Sequence, residues 1–402
     1  MLRKLKKMDT GIIFILAMLM VISVCATYSA GIYFEKTGQG HGNDYIKMII
    51  FYVLGFLVIL SLSIFDYRLF VRHSLYIYGF GILLLLLTIF VGEKKNNASG
   101  WLDIGGLSIQ PAELFKLILV LFMAYVLVRR NKQRAQMLFW RDVVPISMIT
   151  FLPFVLVLAQ NDLGNALSYI IIMFGMFWIG NIKMAHALIG LLLIAGTASS
   201  GIFWYTHYHD QAKHFLSDTI GKPHLVNRFD PWLVPEKATR DAKYQTGNGR
   251  LAIASGSMLG KGFTKGSSVQ SGRVPYTYAD SIFVVVAEEF GFTGSSLLLV
   301  LYFILIYRMI VIALECRERS GPYIIVGIVS MLLYQIFENI GAFLNIMPLT
   351  GITLPFISYG GTSLIINMAS MGVIMSIKIH GQELEDDLPQ PSRASLTKEK
   401  KA

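Results

Sequence analysis

Ten stretches of this chain are long and apolar enough to cross a bilayer, and that count limits the possible folds more than any motif does. A helix needs about 20 apolar residues to traverse the hydrocarbon core. Backbone polar groups facing lipid must be satisfied within the segment itself, which makes helices of runs this long. The runs lie near residues 11–32, 45–64, 75–91, 111–128, 143–159, 163–180, 184–205, 281–311, 323–346 and 351–377. A chain of 402 residues with 54% hydrophobic and 15% charged residues is too apolar for an ordinary soluble domain. The expected fold is an all-α polytopic membrane protein, with about ten transmembrane helices in one domain over residues 1–380. The stretch 381–402, with Pro389, Pro391, Ser392 and a lysine-rich end, reads as a disordered cytoplasmic tail. Cys25 and Cys316 are too far apart to suggest a disulfide framework or thiolate metal site. The first run is too long for a cleavable signal peptide.

Charge gives the orientation. The segments on the side of the two termini hold twenty Lys and Arg, whereas the short opposite loops hold only Lys36, Lys94 and Lys95. The positive-inside rule then puts both termini in the cytoplasm and the loop 206–279, between the seventh and eighth spans, outside. That loop is too long for its charge to control orientation. It carries ten Lys and Arg against Asp210, Asp218, Asp230, Glu236 and Asp241. This positive surface either attracts phosphate and anionic lipid head groups or simply keeps the loop soluble.

Ionisable residues within or beside the spans are the functional candidates. A charged group near the bilayer centre costs about 2.5–3.5 kcal/mol, and less at its edge. Asp280 stands at the mouth of the eighth span, where a glycine- and serine-rich loop runs into an apolar helix. Glu113 and Lys116 are three apart on a helix opened by Pro111, so they share a face and can neutralise each other, either to hold helices or to meet a substrate. Asp162 follows a tight turn and is placed to cap the sixth span. Glu288 and Glu289 lie two turns beyond Asp280, and one of them is expected to face the same cavity. Glu338, Asn339 and Asn345 decorate the ninth span as candidate helix bridges. His207, His209, Asp210 and His214 form a loose cluster that matches no specific zinc spacing and reads as surface histidines. Gly247, Gly249, Gly256, Gly260, Gly262 and Gly266 suggest a flexible second half of the outer loop.

Several segments together resemble the RodA/FtsW family of shape, elongation, division and sporulation proteins. They begin with Gly100-Trp101-Leu102-Asp103, Gln110-Pro111-Ala112-Glu113 with Lys116, Asp162-Leu163-Gly164 and Arg228-Phe229-Asp230-Pro231. The pattern continues through Tyr244-Gln245, Ala252-Ile253-Ala254-Ser255-Gly256 and Gly260-Lys261-Gly262. It closes with Asp280-Ser281-Ile282-Phe283, Ala287-Glu288-Glu289-Phe290-Gly291, Pro348-Leu349-Thr350-Gly351 and 354–361, LPFISYGG. The resemblance runs from the first span to about His380. The ending 375–380, MSIKIH, is more similar to the elongation branch, RodA, than to the division or sporulation branches. One departure lies beside the acid: Tyr278-Ala279-Asp280 stands where relatives commonly have His-Thr-Asp.

The resemblance implies a peptidoglycan glycosyltransferase of the bacterial cytoplasmic membrane, active in cell elongation. It would join lipid II units on the outer face, with Asp280 matching the family's catalytic acid residue. As a general base Asp280 would benefit from partial desolvation, which raises a carboxyl's proton affinity. It could instead be a ligand of a divalent cation, magnesium or manganese. For the diphosphate the candidates are Lys116 beside Glu113, the loop cations Lys261, Lys265 and Arg273, or that cation. The implied partners are lipid II, membrane lipids and a class B penicillin-binding protein that crosslinks the glycan. No nucleic-acid partner is expected. The rival classes are a lipid II flippase, for which no internal repeat is evident, and a non-enzymatic cell-wall scaffold.

Overall fold

The structure is a computed structural model that describes residues 7–38, 40–95, 98–104, 107–131 and 137–382. The predicted tail lies, from residue 383 on, outside the described residues. In chain order the elements are α1 (Thr10–Lys36), α2 (Asp44–Ile64), a short α3 (Tyr67–Arg72) and α4 (Ser74–Val91), then the strands β1 (Glu93–Lys95), β2 (Ala98–Ile104) and β3 (Leu107–Ile109). There follow α5 (Pro111–Asn131), α6 (Val144–Ala159), α7 (Leu163–Ile179), α8 (Met184–His207), α9 (His209–His214), α10 (Pro223–Leu233), α11 (Arg240–Ser255) and α12 (Ser267–Gln270). The chain ends in α13 (Ile282–Glu315), α14 (Ser320–Phe343) and α15 (Gly361–His380). Among the described residues nine helical segments are long and apolar enough to cross a membrane, one of them α6 extended back to Phe139, and α7 is a tenth, shorter apolar helix. The small antiparallel meander β1-β2-β3 lies between α4 and α5.

α5, α14 and α15 form the most buried part of the bundle. α15 lies along α2, α14 along α7 and α5, and α13 along α1. These buried helices carry both the polar residues and the small residues that permit close approach, as membrane packing favours. α8 differs: its apolar window has no buried residue, and Tyr205 near its end is the one buried side chain of the helix.

Two segments expected to be simple are not. The predicted tenth span, 351–377, is helical only in α15, and residues 344–360 form an irregular loop folded into the bundle. Pro348 and Pro355 remove donors and force non-helical neighbours, and Phe356 has a positive φ of 62°. Irregular backbone at such depth is tolerated only where protein satisfies its polar groups. Here the spans do so. Ser23 Oγ of α1 donates to Ile357 O at 2.7 Å, Tyr302 of α13 to Pro355 O at 2.5 Å, and the Tyr52 hydroxyl of α2 to Phe356 O.

The second correction concerns the outer loop 206–279, which is largely helical, in α9 to α12, rather than flexible. Its glycines serve contact. Gly249 sits inside α11 against Phe343, and a Cβ on Gly256 would lie 2.0 Å from Ala287 O of α13. α13 itself is broken at Gly291 (φ 66°, ψ −160°). The turn segment 257–262 repairs the break, with bonds from Phe292 N–H to Ser257 O (2.9 Å), Thr293 N–H to Met258 O (3.0 Å) and Gly262 N–H to Glu289 O (2.9 Å). Because Gly256 has ordinary helical backbone, its replacement tests space alone. Gly256→Ala should cost about 1–3 kcal/mol through overpacking, read as a lower thermal midpoint of the purified protein. An unchanged midpoint would contradict this packing.

Candidate active site

A cavity of about 1500 Å³ opens where α5, α7 and α14 meet α10 and α11. Its walls include Glu113, Asp162, Arg228, Gln245, Asp280 and Thr350. Asp280 occupies the turn before α13. Its Oδ1 accepts from Gln245 Nε2 at 3.3 Å and from Ser281 Oγ at 3.5 Å, and Gln245 also donates to Ser281 Oγ at 3.1 Å. Burial pushes its pKa up from 3.8 to about 6, and the hydrogen bonds from Gln245 and the Ser281 region only partly offset that. An oxygen of this carboxylate, Oδ2, faces Gly351.

α14 fixes the turn and the irregular loop together. Asn339 Nδ2 donates to Asp280 O and to Ile352 O, both at 2.8 Å. Its neighbour Glu338 accepts from Thr350 N–H at 2.9 Å and from the Thr350 hydroxyl. One buried amide therefore sets the distance between the carboxylate-bearing turn and the wall opposite Oδ2. The expected bridging role of these residues holds with a change of object, since they bridge loops rather than two helices.

On the other wall, Asp162 caps α7 as expected, accepting from Asn165 N–H at 3.0 Å, and its Oδ2 accepts from Gln110 Nε2 at 2.7 Å and Asn165 Nδ2 at 2.8 Å. Burial is the main influence on Asp162 and raises its pKa. Glu113 and Lys116 form the expected ion pair, Nζ to Oε2, at 2.8 Å. Glu113 lines the cavity, whereas Lys116 is wholly buried behind it.

A family model described as "Cell cycle protein", covering the FtsW, RodA and SpoVE proteins, matches residues 9–383. The chain belongs to this family. Among curated relatives of the family it is similar to stage V sporulation protein E of Bacillus subtilis, at 31% identity over 74% of this chain and 76% of that one. It is also similar to the peptidoglycan glycosyltransferase MrdB of Escherichia coli, at 30% identity over 91% of this chain and 94% of that one. Among solved structures it is similar to the rod shape determining protein RodA of Thermus thermophilus, with 26% identity, a TM-score of 0.66 and coverage of 94% and 98%. A chain in a structure described as "Structural coordination of polymerization and crosslinking by a peptidoglycan synthase complex" matches with 26% identity, a TM-score of 0.74 and coverage of 94% and 99%.

Within this family member, not every anticipated residue reaches the cavity. Lys261 is bound to Glu288 at 2.6 Å, and neither it nor Lys265 nor Arg273 lines the cavity. Glu288 and Glu289 also turn away from it. Glu288 accepts from Ser268 and Val269 N–H at 2.9 and 3.0 Å, and Glu289 from Thr264 N–H at 3.1 Å and from the Ser29 hydroxyl. They tie the segment before α12 to α13 and α1. His209 is buried rather than superficial, with Nε2 2.9 Å from Asp230 Oδ1, an oxygen that also accepts from Tyr205. The residues missed from sequence are Arg228 and Gln245. Both stood in motifs of the outer loop, but only folding shows which loop side chains meet Asp280.

Among the described residues no group of three or more His, Cys, Asp or Glu converges as a metal site. Asp280 offers one carboxylate, which suits a magnesium-like ion that takes its remaining ligands from phosphate and water.

The raised pKa of Asp280 carries a sign. A carboxyl that ionises less readily when folded adds stability that is fully present below its ordinary value of 3.8 and is lost as pH rises through about 6. Thermal melts of wild type should therefore lose ground relative to Asp280→Asn between about pH 4 and 6. Parallel curves would contradict the buried setting of this group.

Proposed function

We propose that this chain is a peptidoglycan glycosyltransferase, joining lipid II disaccharide units into glycan at the outer face of the cytoplasmic membrane. The observation that carries the reading is a desolvated carboxylate, Asp280, in the wall of a large cavity of a bundle whose relatives bear that enzymatic name. Asp280 acts as general base. It takes the proton from the 4-hydroxyl of one sugar while that oxygen bonds to the anomeric carbon of a lipid-diphosphate-linked chain. The anomeric carbon–oxygen bond to the diphosphate breaks, and the diphosphate leaves with the bonding electrons. A base is most effective when its pKa lies near the working pH, and burial moves Asp280 in that direction. Gln245 and Ser281 hold Oδ1, leaving Oδ2 for the incoming hydroxyl. A bound divalent cation would supply charge neutralisation at the diphosphate.

The C-terminal MSIKIH motif favours the elongation role, although the relatives include sporulation and division proteins. A class B penicillin-binding protein as partner is supported by the similarity to a chain of a synthase complex that coordinates polymerization and crosslinking. The charge distribution supports cytoplasmic termini. A periplasm-only reporter fused at residue 402 should stay inactive and one inserted in the 234–239 turn should be active; the reverse pattern would invert the topology.

The decisive measurement supplies lipid II to the purified protein in detergent, where a flippase or scaffold makes no glycan. Wild type should polymerise it at a rate rising with pH through about 6. Asp280→Ala should fold yet lose at least about 100-fold, the scale of general base catalysis. A chelator arm reports the cation. Full polymerisation by folded Asp280→Ala would overturn the assignment.

A further inference from the structure

The cavity holds a cation that the fold does not neutralise. Arg228, on α10, lines the cavity, and its Nη1 is shut off from solvent without a hydrogen-bond acceptor among the described residues. Of the other cations near this chamber, Lys47 is bound to Asp44 at 2.9 Å and Lys261 to Glu288 at 2.6 Å, while Lys116, 2.8 Å from Glu113 but without a hydrogen bond, is wholly buried and does not line the cavity. Burying a charged donor with no acceptor is costly, so its persistence points to an acceptor that arrives from outside the chain. Among the described residues no carboxylate forms an ion pair with Arg228. Glu338 is close enough to interact electrostatically with it; Glu338 Oε1 accepts from Thr350, and Oε2 is likewise buried without a hydrogen-bond partner. His224 lies one turn back on the same face of α10. Burial, and then the charges of Arg228 and Lys222, push its pKa down, so it stays neutral, and its Nε2 also lacks a partner. Lys222 is held by Leu158 O at 2.7 Å.

We propose that Arg228 receives the diphosphate of the lipid-linked substrate, its planar guanidinium spanning two phosphate oxygens. This rests on the glycosyltransferase reading and adds to it the residue that holds the leaving group. Arginine suits the task because its rigid fork matches phosphate oxygens in pairs, whereas lysine offers a point charge. When the anomeric bond breaks, the diphosphate gains an electron pair and a negative charge, and a cation already in contact stabilises that change without rearrangement. Arg228 and Asp280 would then divide the work, one on the leaving group and one on the attacking hydroxyl.

The test is binding of farnesyl diphosphate to the full-length protein in detergent, read by tryptophan fluorescence, since Trp232 lines the same cavity. Farnesol and inorganic diphosphate serve as separate arms. Wild type should bind farnesyl diphosphate saturably, Arg228→Ala at least about tenfold more weakly, and Arg228→Lys in between, while farnesol fails to compete. Each variant's ligand-free melting temperature is measured alongside. Should Arg228→Ala melt lower than wild type, Arg228→Lys carries the comparison. A wild-type Kd in the folded variant, or equal competition by farnesol, overturns the proposal. The two readings separate cleanly: Arg228-dependent binding without any glycan from lipid II would sink the enzymatic reading alone, and wild-type polymerisation by Arg228→Ala would sink this one alone.

Discussion

Inside a membrane every backbone N–H and C=O must find a partner within the protein, and two departures from helix in this bundle are shaped by that requirement. One is the break of α13 at Gly291, stitched by residues 257–262. The other is the loop 344–360, whose carbonyls are met by Ser23, Tyr52, Tyr302 and Asn339 from four different helices. Each repair draws on distant sequence, so the irregular segments can persist only when α1, α2, α13 and α14 are already together. The same bonds that make the irregular backbone tolerable also position it.

The candidate active site sits between these two repairs. Asp280 belongs to the turn that enters α13, Thr350 and Gly351 to the buried loop, and Asn339 holds both through paired carbonyl bonds of 2.8 Å. A carboxylate placed this way gains its reactivity from burial more than from a neighbouring charge, because the hydrogen bonds to it are long and few. Glu288 and Glu289 lie close in sequence but are saturated by loop N–H groups and Lys261. Their work is to anchor the outer segment to the bundle, and that segment leads directly to the turn bearing Asp280.

The family relationship and the geometry meet at the outer loop. Relatives align over nearly the whole chain, and what the folded loop contributes is a roof of helices, α10 and α11, that brings Arg228 and Gln245 to the cavity. Of the loop cations that look most available in the sequence, Lys261 is bound internally to Glu288, and Lys265 and Arg273 do not line the cavity. Arg228, whose Nη1 has no hydrogen-bond partner among the described residues, is partly buried and comes from a motif with no obvious charge pattern.

Hydropathy alone determined the number and approximate limits of the spans, because twenty apolar residues have one stable solution in lipid. It also marked Asp280, Glu113, Lys116 and Asp162 as groups too costly to place without purpose, and the capping of α7 and the Glu113–Lys116 pair follow from spacing within one helix. Periodicity reaches only neighbours on the same element. Whether residues 351–360 continue a helix, whether the glycines of the outer loop bend or pack, and whether Lys261 or Arg228 faces the cavity were decided by tertiary structure. Each depends on a hydrogen-bond partner or a packed surface supplied from far along the chain, such as Tyr52 for Phe356 O, Ala287 for Gly256 and Glu288 for Lys261.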